Sequence, residues 1–96
     1  MVTIRILDAV GGADTSAQGD LVYAKLLAGL RSPQDVEVSF DGVKTATSSF
    51  VNTSFVKLLE DWPLDELKRR MRVVHSTRQI NDMIKSRLER ASMAHA

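Results

Sequence analysis

The stretch Val36-Glu37-Val38-Ser39-Phe40-Asp41-Gly42-Val43-Lys44-Thr45-Ala46-Thr47-Ser48-Ser49-Phe50-Val51 decides the fold. Val36, Val38 and Phe40 alternate with Glu37, Ser39 and Asp41, the two-residue period of a half-buried strand. Asp41-Gly42 then turns the chain, because glycine adopts backbone angles that other residues avoid. Val43 is the next apolar anchor. Beyond it, Thr47-Ser48-Ser49 stands before a 3.6-residue pattern in which Val51, Phe55, Leu58 and Leu59 share one face. Hydroxyls at such a place predict a helix start, since their oxygens accept from first-turn amides; which of the three caps is open. Trp62-Pro63 closes the helix.

On the N-terminal side, Ile4 and Ile6 flank Arg5, and the segment Thr3 to Val10 reads as a strand broken by Gly11-Gly12. Val22, Leu26, Leu27 and Leu30 recur at helical spacing. They predict a helix over 17–30 with Ser16 as its cap, Gly19 as a weak point in its first turn and Ser32-Pro33 as its end. On the C-terminal side, Leu64 to Arg70 reads as a short helical turn, with Asp65 and Glu66 early and Lys68 and Arg69 late, as the helix dipole favours. Met71 to His75 reads as a third strand, with His75 continuing its alternation. Ser76 followed three residues later by Gln79 fits a capping box. Ile80, Met83, Ile84, Leu88 and Ala91 make the apolar stripe of a last helix. Residues 1–92 thus form one domain, and 93–96 read as a frayed tail.

The order is β-α-β-α-β-α, which favours a largely parallel sheet with right-handed crossovers; the first strand retains the option of antiparallel pairing at an edge. Ninety-six residues suffice for one such domain.

The segment Val38 to Phe50 resembles the signature of STAS domains. In that family a buried strand ends in a small-residue turn and a valine, and an Asp-Ser-Ser-Gly run then starts a helix. Val43 matches the valine, Thr47 stands where the aspartate is usual, Ser48-Ser49 match the serine pair, and Phe50 replaces the glycine. The phenylalanine form is similar to the small STAS-like domains of unknown function found in bacteria and prophages. The resemblance implies a STAS-like α/β fold and a non-enzymatic regulatory or protein-interaction role. It implies a partner surface at Thr47, Ser48, Ser49, Phe50 and Asn52, at the start of the second long helix. In the related anti-sigma-factor antagonists, the serine corresponding to Ser48 is phosphorylated by a kinase-like ATPase partner. A helix start, with its unsatisfied amides, tolerates such a phosphate.

Against that reading stand several chemistries. The chain has no cysteine, so a disulfide framework, a thiolate metal site and a cysteine nucleophile are excluded. Ser48, His75 and Asp41 supply the residue types of a hydrolytic triad, but no Gly-x-Ser-x-Gly elbow accompanies them. Gly11-Gly12 lacks the further glycines and the lysine of a phosphate-binding loop. His75 and His95 are too far apart in sequence to suggest a metal pair. No catalytic residue, cofactor or metal is expected.

Net charge is only +1, yet residues 67–90 carry eight basic residues and two acidic ones. Arg69, Arg70, Arg72, Arg78, Lys85 and Arg87 form a candidate basic surface. A solvated face is the ordinary explanation, and nucleic-acid binding through the C-terminal third is the alternative function. Arg87 falls inside the apolar stripe, where it either snorkels over the rim of the core or marks an interface. No signal-peptide pattern or membrane-length apolar run occurs, so a cytoplasmic protein is expected. The open edges of a three-stranded sheet make a homodimer an option.

Overall fold

The computed structural model describes residues 1–94. Its centre is the predicted strand, β2 (Val36–Ser39). Strand β1 (Val2–Arg5) pairs with one side of β2, and β3 (Met71–Val74) with the other. Both pairings are parallel, with Val38 opposite Ile4 and Val73. The option of an antiparallel edge is therefore not taken. Helix α2 (Ser16–Arg31) connects β1 to β2. Helix α3 (Ser48–Ser54), a 3-10 turn (Val56–Glu60) and helix α4 (Leu64–Arg70) connect β2 to β3. Helix α5 (Arg78–Ala94) follows β3.

Two right-handed crossovers that step across a sheet in the same direction lie on the same side of it. Burial follows that rule. Ile4, Val36 and Val38 are buried under the helices, whereas Thr3, Arg5 and Arg72 on the alternate positions are exposed. One face of the sheet is therefore open. The core between sheet and helices centres on three aromatic rings. The Phe40 ring lies 6.4 Å from that of Phe50, edge to face, and 6.2 Å from that of Phe55. All three residues are fully buried.

Several predicted boundaries move. The first strand ends at Arg5, and Ile6–Val10 forms a short helix, α1. Gly11 ends it in the left-handed conformation at φ 82°, and its N–H donates to the Leu7 carbonyl at 3.0 Å. The alternation of Ile4 and Ile6 is real, but it spans the junction of two elements. Thr15, not Ser16, caps α2. Its hydroxyl accepts from the Gln18 N–H, and the Gln18 side chain accepts from the Thr15 N–H, which is a full capping box.

The helix expected to run to Leu59 stops at Ser54 and tightens into the 3-10 turn. The Ser54 hydroxyl bonds back to the Phe50 carbonyl at 2.6 Å, and Thr53 to that of Ser49 at 2.9 Å. Such back-bonding competes with the main-chain ladder. The third strand ends at Val74, and His75 is an exposed residue at φ 52° rather than a half-buried strand position. The box expected between Ser76 and Gln79 is absent. The Thr77 hydroxyl accepts from the Ile80 N–H at 3.3 Å instead. The expected tail is helical through Ala94, and its last two residues lie outside the described ones.

Candidate functional site at the start of helix α3

Helix α3 is set in place by its neighbours. Its closest is α2, and the contact is made at Gly19. A β-carbon there would lie 1.8 Å from the Thr53 hydroxyl oxygen and 2.7 Å from the Phe50 carbonyl. The residue that looks like a weak point in α2 is thus the one that lets the two helices touch. Thr53 completes the contact, its one hydroxyl proton shared between the Ser49 carbonyl at 2.9 Å and the Ser16 carbonyl of α2 at 3.2 Å.

The loop before α3 is tied down from two sides. Thr47 donates its N–H to the Ala13 carbonyl and its hydroxyl to the Asp14 carbonyl, at 3.0 and 2.9 Å. From α5, the Gln79 amide bridges the Ala46 N–H and C=O, both at 3.1 Å, and the Thr77 hydroxyl donates to the Lys44 carbonyl at 3.0 Å. The amide that the sequence pattern assigns to a local cap therefore acts across 33 residues.

This anchoring settles which hydroxyl caps α3. It is Thr47, which accepts from the Phe50 N–H at 3.2 Å. The hydroxyls of Ser48 and Ser49 have no hydrogen-bond partner among the described residues. Thr47, Ser49 and Asn52 are exposed and Ser48 is half-buried. Phe50 departs from the predicted surface, because its ring is fully buried against Phe40. Ser49 and Asn52 thus face solvent and Ser48 does so in part, with Phe50 as the bolt beneath.

Two residues of the predicted basic surface are engaged within the fold. Arg70 is largely buried. One of its terminal nitrogens donates to the carbonyls of Leu30, Ser32 and Gln34, at 3.2, 2.7 and 2.7 Å, and its Nε lies 3.6 Å from Asp35. It ties the end of α4 to the end of α2 and is not a free charge. Arg69 pairs with Glu66 at 2.6 Å. Arg72 projects from the open face of the sheet, Arg78 and Lys85 are exposed on α5, and Arg87 is half-buried beside the apolar stripe.

At the carboxyl end of the strands, a shallow cavity of about 170 Å³ is lined by Arg5, Ser39, Asp41 and His75 among others. Arg5 is engaged with Asp8 at 3.3 Å and Asp41 at 3.9 Å. Among the described residues no group of three or more side chains could hold a metal ion, and no helix is long and apolar enough to cross a membrane.

Residues 18–81 match the family model for the STAS-like domain of unknown function (DUF4325). The chain belongs to this family. The match runs from the first turn of α2 to the first turn of α5, and it contains the whole strand-turn-helix unit around Thr47. The α/β fold with its parallel sheet is that of a small STAS-like domain. At a coarse level a STAS-like domain fits a regulatory or interaction module. Strand β1, helix α1 and most of α5 lie outside the matched segment. No curated protein and no solved structure matches the chain.

Proposed function

We propose that this STAS-like domain is a non-enzymatic regulatory module that docks a protein partner through the first turn of α3, with Ser48, Ser49 and Asn52 as the contacting residues. One observation carries the reading. Thr47 does the capping, so the hydroxyls of half-buried Ser48 and exposed Ser49 are left without a partner among the described residues. The partner class that the family resemblance implies is a kinase-like ATPase, and Ser48 is the position it would modify. A phosphate there would add a dianion to a surface whose own polar groups are neutral, which changes what can dock.

The test is affinity capture with the wild-type domain and with a Ser48→Ala/Ser49→Ala double variant, followed by incubation of any captured ATPase with ATP. The reading expects a protein retained by the wild type and lost by the variant, with phosphate appearing on Ser48. Identical proteins on both baits would refute it.

A further inference from the structure

A different surface points to a ligand of definite chemistry. Strand β3 is an edge strand. The Phe40 N–H donates to the Val74 carbonyl at 3.0 Å, so Val74 turns its backbone toward β2, as does Arg72 two residues earlier. Met71 and Val73 then direct theirs outward. The Met71 N–H is taken by the Leu67 carbonyl of α4, which leaves the Val73 N–H and C=O at the free edge.

On the helix side of this edge, α4 and α5 stand apart around a groove of about 250 Å³. Its floor is apolar, formed by Met71, Val73, Ile84 and Leu88. Its rim carries Lys68, Lys85 and Asn81, and no acidic residue among the described ones lines it. On the opposite side of the same edge, Arg72 is exposed on the open face of the sheet.

We infer that the β3 edge takes up an extended protein segment in which apolar and acidic residues alternate. Backbone groups of the segment would pair with those of Val73. Successive side chains of a strand point to opposite faces, so apolar ones would enter the groove while acidic ones face Arg72. Lys68 and Lys85, on the groove side, add positive potential around the segment without facing its acidic side chains. A second copy of this chain fits poorly. Pairing β3 with its own copy brings Arg72, Lys68 and Lys85 of both chains together, and the other edge strand, β1, carries Arg5 where an acid is wanted. The inference rests on the interaction-module reading only in expecting a protein segment as ligand, and it shares no residue with the α3 surface.

The experiment is a titration of the isotope-labelled domain, followed by backbone amide chemical shifts, with two synthetic peptides. One alternates valine with glutamate and the other valine with lysine. The glutamate peptide should shift the Val73 amide and bind at least about tenfold more tightly than the lysine peptide. The Arg72→Glu/Lys85→Glu variant, altered only at exposed positions, should reverse that preference. The Ser48→Ala/Ser49→Ala variant should bind the glutamate peptide as the wild type does, which separates this surface from the α3 one. No shift at Val73, equal affinity for the two peptides, a preference untouched by charge reversal, or self-association through Val73 without peptide would each overturn the inference.

Discussion

Replacing Gly19 by alanine separates two physical accounts of the same residue. Judged by helix propensity alone, alanine in α2 should stabilise the domain by about 1 kcal/mol. The packing opposes that. The new methyl would meet the Thr53 hydroxyl oxygen at 1.8 Å and the Phe50 carbonyl at 2.7 Å. The first clash is relieved only by turning Thr53 away, which gives up the one hydrogen bond its hydroxyl donates, at the Ser49 and Ser16 carbonyls. The second is with main chain, so relief requires α2 and α3 to separate. Overpacking of this kind costs about 1–3 kcal/mol, and each lost hydrogen bond about 1 kcal/mol. Offset by propensity, the net expectation is a loss of about 1–3 kcal/mol. In a domain of this size, 1 kcal/mol moves Tm by about 4–8 °C. Thermal unfolding followed by circular dichroism should therefore show a fall of at least several degrees. Gly19→Ala/Thr53→Ala should recover part of it, since the hydroxyl clash is gone and the carbonyl clash remains. An unchanged or raised Tm for the single variant would refute the close contact between α2 and α3.

Three further expectations follow from the same geometry. Arg70→Ala should lower the urea-unfolding free energy by about 1.5–3 kcal/mol, because three carbonyls lose a charged donor, whereas Arg72→Ala should stay within about 0.5 kcal/mol of wild type. Gln79→Ala should cost about 1–3 kcal/mol although its position on α5 is exposed, since it strands both backbone groups of buried Ala46; amide exchange at Ala46 should accelerate in that variant. His75→Gly should raise stability by about 0.5–1 kcal/mol, the left-handed strain relieved less the entropy of glycine, and an unchanged Tm would show the turn to be unstrained.

The parts of the fold that were legible in the sequence were those written in local periodicity. Val36, Val38 and Phe40 share the buried face of β2 because strand geometry turns alternate side chains one way, and Val51, Phe55 and Leu58 fall inward for the helical equivalent. The misplaced boundaries lie where two periods overlap. Ile6 belongs to both a strand alternation and a helix start, and Thr15-Ser16 offers two hydroxyls of which only Thr15 has Gln18 at the reciprocal spacing. The sequence itself carries that signal. No local signal announces the rest. Gly19 is needed because of a helix 31 residues further on, Gln79 because of a loop 33 residues earlier, and Arg70 because the end of α2 lies under it. At the candidate site, Thr47-Ser48-Ser49 was recognisable as a cap, but its division of labour depended on Ala13 and Asp14, which only tertiary structure brings to Thr47. The place of Phe50 in the motif groups it with the surface, and its contacts put it in the core.

That division of labour is the central claim, and it is tested by measuring stability and partner retention on the same two variants. Thr47→Ala should lose about 1 kcal/mol or more in urea unfolding, because the cap and the tie to Asp14 go together. Ser48→Ala/Ser49→Ala should unfold within about 0.5 kcal/mol of wild type and yet fail to retain the partner. A double-serine variant that is destabilised as much as Thr47→Ala, or that keeps its partner, would contradict the account.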